Sequence, residues 1–159
     1  MQKLGEAIQQ KKPFRSAEVE AFLNIVRTAD ALGRQVERLL KPHSLTATQY
    51  NVLRILRGAG RDGATCSQIA ERLVTNDPDV TRLLDRLEKS GLIERARSEN
   101  DRRVVVTQLS RSGAVLLAKL DPLVDALHAR QFAGMNRKAL AAMVAQLEQI
   151  RAAAEEDAE

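Results

Sequence analysis

Apolar residues recur every three or four positions between Ser16 and Pro42, a spacing that predicts one face of an amphipathic helix. Ser16 is suited to cap the start of this helix, and Pro42 to end it. Residues 1 to about 15 are polar and mixed, so we expect a tail that is disordered or docks on a partner. The predicted apolar stripe consists of Val19, Phe22, Val26, Ala29, Leu32, Val36 and Leu39.

Two shorter helices are predicted next. One starts at Thr46 or Thr48 and ends in the segment from Gly58 to Gly63. Thr65 and the glutamine three residues later have the spacing of a capping box, which predicts the start of the other. The expected inner faces are Tyr50, Leu53, Ile55 and Leu56 in the first, and Ile69, Ala70 and Leu73 in the second.

A fourth helix is predicted from Pro78 to about Ser90. Asp77 is a good N-cap, and proline is tolerated at the first helical position because its missing N–H would have no partner there. Gly91 is the expected left-handed residue after the helix. The predicted buried positions are Val80, Leu83, Leu84 and Leu87.

Two β-prone runs, 92–96 and 104–109, flank a polar segment that contains Asp101, Arg102 and Arg103. This pattern predicts a hairpin with a protruding basic tip. An amphipathic helix, a tight break and such a hairpin together predict a winged helix-turn-helix. In such a unit the helix suits a DNA major groove, and the basic tip suits the neighbouring minor groove.

The C-terminal part is predicted to be helical. Ser110 caps a helix with apolar residues Leu116, Leu120, Leu123 and Leu127, and Pro122 should kink it. A last helix from Asn136 carries a heptad-like seam, which consists of Leu140, Met143, Leu147, Ile150 and Ala154. These helices and the first have more apolar surface than one small winged domain needs, so we expect them to dimerise. The chain is then one domain, 1–159, with dimerisation helices in 16–44 and 110–157 and the winged helix-turn-helix in 45–109.

Composition supports a mostly α fold with a small β-hairpin wing. Apolar residues make up 44% and aromatic residues only 3%, which suits helix packing. A net charge of +4 permits a polyanionic partner without requiring one. Cys66 is the single cysteine, which excludes an intramolecular disulfide, and there is no signal-peptide or membrane-spanning run. We therefore expect a cytoplasmic protein with no membrane association.

Enzymatic chemistry is not indicated. The sequence has no nucleophile with a base at a recognisable spacing, no glycine-rich phosphate loop and no metal-ligand cluster. His128 has no second histidine or cysteine at zinc-ligand spacing. We expect neither an enzyme nor a cofactor.

The chain resembles the MarR family (multiple antibiotic resistance regulators) over about residues 18 to 155. The resemblance depends on the order and spacing of local motifs rather than on any one of them. Thr107 and Ser110 stand where the family usually has Val and Thr, which keeps the strand and cap chemistry. The matching motifs are Leu45-Thr46-x-x-Gln49-Tyr50-x-Val52-Leu53, Ile69-Ala70-Glu71-Arg72-Leu73, Val80 to Lys89 with Gly91-Leu92-Ile93-x-Arg95, Asp101-x-Arg103, and Leu109-Ser110-x-x-Gly113.

The resemblance implies a homodimeric transcription regulator, usually a repressor, that responds to a small ligand. Two recognition helices related by a two-fold axis would enter successive major grooves about 34–36 Å apart, on a pseudo-palindromic site. Family members bind aromatic acids between the dimerisation and DNA-binding regions, close to His43. The alternative is a winged-helix module that binds protein and has no DNA role.

Arg103 is the main candidate for a minor-groove contact, with Asp101 accepting its hydrogen bonds. A solvated loop ion pair is the competing interpretation. Arg82 can contact DNA or turn back to an acidic neighbour. His43 is better explained by a cap or surface role than by a ligand contact. Cys66 either fills the first turn of its helix or senses oxidants. The full set of predicted DNA contacts is Thr75, Asn76, Thr81, Arg82, Arg86, Arg97, Asp101, Arg102 and Arg103.

Overall fold

The computed structural model describes residues 3–75, 79–97, 101 and 103–156. The chain is mostly α with one two-stranded hairpin, and it divides into two compact units, Met1–Val124 and Asp125–Glu159. The helices and strands, in chain order, are α1 (Leu4–Ala7), α2 (Ala17–Leu40), α3 (Ala47–Ala59), α4 (Cys66–Arg72), α5 (Val80–Lys89), β1 (Ile93–Arg97), β2 (Val105–Leu109), α6 (Arg111–Gln131) and α7 (Arg137–Glu156), with 3₁₀ turns at Lys41–His43 and Gly60–Asp62.

The N-terminal segment corrects one expectation. Instead of a disordered tail, residues 4–7 form the short helix α1, and Leu4 is buried. The ring of Phe14 lies next to this helix: a Cβ added to Gly5 would be 3.8 Å from the Cε2 atom of Phe14. A predominantly polar stretch therefore contains a short helix with one buried residue.

Helix α2 begins and ends close to the predicted residues. The Oγ atom of Ser16 accepts a hydrogen bond of 3.4 Å from the N–H of Val19, which confirms the cap. The α-helix ends at Leu40, and Pro42 lies in the 3₁₀ turn that follows. Asn136 caps α7 in the same way, its Oδ1 atom accepting from the N–H of Ala139 at 2.9 Å.

Two capping boxes open the helix-turn-helix. Thr46, not Thr48, caps α3, because its Oγ1 atom accepts from the N–H of Gln49 at 3.1 Å while the glutamine Oε1 atom accepts from the N–H of Thr46 at 2.9 Å. Thr65 and Gln68 make the same reciprocal pair at the start of α4, as predicted. Gly58 lies inside α3, which ends one residue later.

Helix α5 starts later than predicted. Its N-cap is Asp79, whose Oδ1 atom accepts from the N–H of Arg82 at 3.1 Å. Asp77 and Pro78, the predicted cap and first helical residue, lie outside the described residues. The helix ends as expected, with Gly91 in the left-handed region at φ 70°. The four predicted apolar positions of this helix are all buried.

The hairpin is antiparallel and is anchored on both sides. Ile93 pairs with Leu109 and Arg97 with Val105. Strand β1 is shifted by one residue from the predicted run 92–96, and β2 starts one residue later than the predicted run 104–109. Ala64, between α3 and α4, exchanges two backbone hydrogen bonds of 2.9 Å with Thr107. The preceding Gly63 has φ +65°, and a Cβ there would lie 2.5 Å from the Thr107 carbonyl oxygen, so this approach requires glycine. The base of the wing is therefore held against the helix-turn-helix.

The inward face of α6 differs from the prediction. Leu117 and Val124 are buried, whereas Leu123 is 45% exposed and Leu116 only packs against the edge of the core. Apolar residues are adjacent at 116–117 and 123–124, so spacing alone does not select the inward member of each pair. Ala70 of α4 is also exposed rather than inward. The main core consists of Leu40, Leu45, Tyr50, Val52, Leu53, Ile55, Leu56, Ala64, Ile69, Val80, Leu83, Leu84, Leu87, Ile93, Leu117, Leu120 and Val124.

Several apolar side chains remain outside this core. On α2 the exposed large ones are Val19, Phe22, Ile25 and Val26. On α7, where no residue is buried, they are Val144, Leu147 and Ile150. Within the part of the chain that the structure describes, no helix is long and apolar enough to span a membrane.

Candidate nucleic-acid interface

The face of α5 opposite its buried leucines is polar and exposed. Thr81, Arg82 and Arg86 all lie on it, as predicted from the helical spacing. A helix with one basic, solvent-facing side and one side fixed in the core can enter a groove without unfolding. The structure therefore makes these three side chains accessible to a duplex.

The start of α5 carries an acidic residue as well as a basic one. Asp79 caps the helix through Oδ1, and its Oδ2 atom lies 3.1 Å from Nε of Arg82. The Arg82 side chain is 77% exposed, so this ion pair contributes at most about 1 kcal/mol. Asp79 thus stabilises the start of the helix and pairs with an arginine that remains largely exposed.

The turn before α5 is fixed by a side chain of α3. Oδ1 of Asn51 accepts from the N–H of Val74 at 3.0 Å. Thr75 is exposed in this turn, and Asn76 lies outside the described residues. Cys66, at the start of α4, is exposed, with its Sγ atom 3.9 Å from Oγ1 of Thr81.

The wing places a second basic group at the surface. Arg97 is exposed at the end of β1, and Arg103 is exposed just before β2, while Arg102 lies outside the described residues. Asp101 accepts a hydrogen bond of 2.9 Å from the backbone N–H of Arg103. Asp101 was predicted to accept hydrogen bonds from Arg103 and fix its direction; the hydrogen bond that the structure shows comes from the backbone of Arg103. An ion pair to the Arg103 guanidinium is absent among the described residues.

Arg95 is a residue whose role the sequence alone did not indicate. Its Nε atom donates to Oε2 of Glu88 at 2.9 Å, and its Nη2 atom donates to Oδ1 of Asp85 at 2.6 Å and to Oε2 of Glu88 at 2.5 Å. The hydrogen bond from Arg95 lowers the pKa of the Glu88 carboxyl, and the two carboxylates raise the pKa of Arg95. The available clue was an acidic pair three residues apart on α5, followed by an arginine in the next strand.

A second polar cluster joins α3 to α6. Tyr50 donates to Oδ1 of Asp121 at 2.7 Å, Arg57 pairs with Oδ2, and the Arg54 guanidinium lies 5.9 Å from the centre of the Tyr50 ring. Burial raises the pKa of the Asp121 carboxyl, but the hydrogen bonds from Arg57 and Tyr50 outweigh this effect and lower it. Asp121 is therefore held as a carboxylate between the two helices.

The residue that follows α5 is tied to the start of α6. Ser110 and Ser112 both donate to the carbonyl oxygen of Gly91, at 2.7 and 2.5 Å. Oγ of Ser110 also accepts from the N–H of Gly113 at 3.0 Å, which confirms its predicted capping role. One serine hydroxyl thus caps α6 and holds the residue that ends α5.

A shallow depression of about 320 Å³ lies where α2 meets the turn before α3. His43 is half-buried in the adjacent 3₁₀ turn but does not line this depression. Among the described residues, no group of three His, Cys, Asp or Glu side chains could hold a metal ion. The depression is lined by Glu37, Arg38, Lys41, Ser44, Leu45 and Thr46.

Comparison with known proteins gives a consistent result. The sequence profile described as the MarR family matches residues 45–105. The HTH-type transcriptional regulator TtmR of Methylorubrum extorquens (strain PA1) is 36% identical over 109 residues, 69% of this chain and 55% of TtmR. The HTH-type transcriptional regulator YkoM of Bacillus subtilis (strain 168) is 30% identical over 127 residues, 77% of this chain and 81% of YkoM. This chain therefore spans little more than half of TtmR but most of YkoM.

Solved structures show the same fold. A MarR transcription factor from Planctomyces limnophilus is 37% identical, with a TM-score of 0.66, over 86% of this chain and 99% of that one. The S. aureus MepR–DNA complex has a TM-score of 0.76 at 22% identity, over 89% and 99% of the two chains. The same TM-score and identity describe Bordetella bronchiseptica BpsR, whose DNA binding is regulated by 6-hydroxynicotinic acid, over 88% and 98%.

Proposed function

We propose that this chain, which belongs to the MarR family of DNA-binding transcriptional regulators, is a homodimeric repressor. Its operator would be pseudo-palindromic, and a small aromatic or phenolic ligand would trigger its release from DNA. The observation that carries the proposal is the exposed basic face of α5 beside an arginine-tipped wing. The work of such a protein requires access to the chromosome, so we assign it to the cytoplasm.

The proposed DNA contacts divide between the two grooves. The polar face of α5 and the turn before it would meet base edges and phosphates in the major groove, and the wing would enter the minor groove. Narrow minor grooves concentrate negative potential, which favours an arginine such as Arg103 at that position. The proposed major-groove set is Thr75, Asn76, Thr81, Arg82 and Arg86, and the wing set is Arg97, Asp101, Arg102 and Arg103.

The homodimer is proposed from the apolar side chains that the monomer leaves in water. Phe22 of α2 is 63% exposed, and Ile150 of α7 is 53% exposed. Residues 16–44 and 110–157 would form the dimerisation region, and 45–109 the DNA-binding region. Clusters of exposed apolar side chains of this kind mark interaction surfaces. A two-fold axis would then space the two copies of α5 by about 34–36 Å, one turn of DNA.

The ligand is proposed to be an aromatic acid or phenol near the depression between α2 and α3. Arg38 and Lys41 line it and would attract a carboxylate or phenolate, and His43 lies beside it. The DNA binding of BpsR, a protein with the same fold, is regulated by 6-hydroxynicotinic acid, which is an aromatic acid. A ligand bound there would act by changing the separation of the two recognition helices.

Selection of bound duplexes from random sequence with the purified protein tests the DNA role. We expect enrichment of a pseudo-palindrome, with affinity that falls steeply as salt rises because several phosphate contacts release counterions. Failure to enrich any palindrome, together with a flat salt profile, would favour a protein-binding module instead. Analytical ultracentrifugation tests the dimer, and titration of the complex with 6-hydroxynicotinate and related phenols tests ligand release.

A further inference from the structure

We propose that Arg95 is a positioning residue that fixes the direction of the wing relative to α5, and so decides where the wing enters the minor groove. This inference builds on the proposed DNA contacts. Arg95 lies in the middle of β1, paired with Thr107, while both of its carboxylate partners lie on α5. Its side chain is 24% exposed, so it is packed between helix and strand.

The geometry suits a fixed angle rather than a loose attraction. Nε and Nη2 both donate to Glu88, and Nη2 donates as well to Asp85, three residues earlier on α5. The guanidinium fork is planar, so these three hydrogen bonds fix its plane relative to the helix axis. The carboxylate of neither residue alone would define that plane.

The wing needs such a contact because its other attachments lie elsewhere. The chain enters the hairpin from Gly91, whose carbonyl is held by Ser110, and the Ala64–Thr107 bonds hold the edge of β2. Among the side chains of β1, Arg95 makes hydrogen bonds to α5. Arg97 and Arg103 lie farther along the hairpin than these anchors. A small rotation of the hairpin about residue 95 would therefore displace these two arginines by a larger distance than it displaces residue 95.

Charge gives Arg95 a second effect at the same place. Asp85 and Glu88 are about half exposed, on the helix that also carries Arg82 and Arg86. Without Arg95, two uncompensated carboxylates would lie close to the phosphates of a bound duplex and repel them. An informative experiment must therefore separate the direction of the wing from the local charge.

Two variants make that separation. Arg95→Lys keeps the charge but lacks the planar fork, and the double variant Arg95→Gln/Glu88→Gln keeps the local net charge but removes the bridge. Arg34→Lys is the matched control, since it changes an exposed arginine that pairs with Asp30 on α2. Hydroxyl-radical and methylation footprints on the selected operator would report the minor and major grooves, and thermal unfolding would report the fold.

We expect both Arg95 variants to lose minor-groove protection beside each half-site while they keep major-groove protection. Operator affinity should fall roughly five- to hundredfold, the range expected for loss of one specific contact. The control should match the wild type. Unchanged minor-groove protection in both variants would overturn the inference, and wild-type protein that binds no operator would instead overturn the proposed function.

A second measurement needs no DNA. A nitroxide on the exposed Cys66, which lies beside Thr81 of α5, and another on an introduced cysteine at Arg103 report the distance from helix to wing. We expect a broader distance distribution in both Arg95 variants than in the wild type and the control. Distributions of equal width would contradict the positioning role even if the proteins bind no DNA.

Discussion

The phenolic hydroxyl of Tyr50 donates a hydrogen bond of 2.7 Å to Oδ1 of Asp121, and this contact joins α3 to α6. Burial and then this hydrogen bond raise the pKa of Tyr50 to about 12, from an ordinary value of 10.0. The raised pKa means that the folded state favours the neutral phenol. Its stabilising effect is therefore complete below pH 10 and is lost as the pH rises through about 12.

Titration of Tyr50 can be followed without a variant, because the chain has one tyrosine and no tryptophan. We expect the near-ultraviolet absorbance of tyrosinate to appear with a midpoint close to pH 12 in the folded protein, and close to 10 in urea. A folded midpoint near the ordinary value would contradict the buried hydrogen bond.

Tyr50→Phe should lower the free energy of unfolding by about 1–3 kcal/mol at neutral pH, since the hydrogen bond is made to a charged group. The difference between wild type and variant should stay constant up to about pH 10 and shrink as the pH approaches 12. Urea denaturation at several pH values measures it. A difference that grows with pH would show that the sign of this linkage is wrong.

Gly113 lies against the chain that leaves α5, and a side chain there has no room. An added Cβ would be 2.2 Å from the carbonyl oxygen of Leu92. We expect Gly113→Ala to destabilise the protein by about 2–3 kcal/mol, because backbone would have to move. Gly33→Ala is the control: nothing lies within 4 Å of its added Cβ, so the helix should be unchanged or gain up to about 1 kcal/mol. Similar unfolding midpoints for the two variants would contradict the close approach.

The features that sequence predicts best here are local ones. Thr65 and Gln68 form the predicted capping box, and Gly91 is left-handed as expected, because each depends on residues within one turn of helix. The choice between Thr46 and Thr48 was left open by spacing alone. It is decided by Gln49, which can return a hydrogen bond only to Thr46.

Features that depend on distant partners could not be predicted in the same way. Leu117 and Leu123 are equally apolar, and only the core of the winged domain selects the first for burial. The Arg95 network requires a strand to fold back on the preceding helix, a geometry that a list of charges does not contain. The N-cap is Asp79 rather than the predicted Asp77, and sequence alone could not choose between them because aspartate is a good cap at either position.

Arg103→Ala tests the proposed minor-groove contact. Loss of the guanidinium should weaken operator binding by about 1–3 kcal/mol and relax the preference for bases flanking each half-site. Lys119→Ala removes one exposed positive charge from α6 and should leave that preference unchanged. Gel-shift titrations on operators with altered flanks measure both. Equal affinities for Arg103→Ala and wild type would remove the central assignment.

Asp101→Ala should reproduce part of the Arg103→Ala effect. Asp101 accepts from the backbone N–H of Arg103, so its loss frees the backbone at the tip without removing the guanidinium. We therefore expect a smaller loss of affinity, about 0.5–1.5 kcal/mol, the usual range for one hydrogen bond. Asp101→Asn, which keeps an acceptor oxygen, should lie close to wild type in the same titration. A loss with Asn as large as with Ala would contradict the hydrogen bond to the backbone of Arg103 as the cause.

In the proposed docking of α5 on DNA, Asp79 would oppose binding through its negative charge and support it by capping the helix. Two substitutions separate these effects. Asp79→Ser keeps a capping oxygen, so stability should change by less than about 0.5 kcal/mol, whereas Asp79→Ala should lose about 1 kcal/mol. Both release Arg82 and remove a negative charge that would face phosphates. Each should therefore bind non-specific duplex more tightly than wild type, with a steeper dependence on salt.

Fluorescence anisotropy across a salt series measures that affinity, and urea denaturation measures the cap. Because the serine variant is expected to be as stable as wild type, its tighter binding cannot be attributed to a better-formed helix; it must come from the released Arg82 and the lost charge. If Asp79→Ser bound non-specific DNA no more tightly than wild type at any salt concentration, the start of α5 would not lie near the phosphates, and the major-groove docking proposed for this helix would have to be revised.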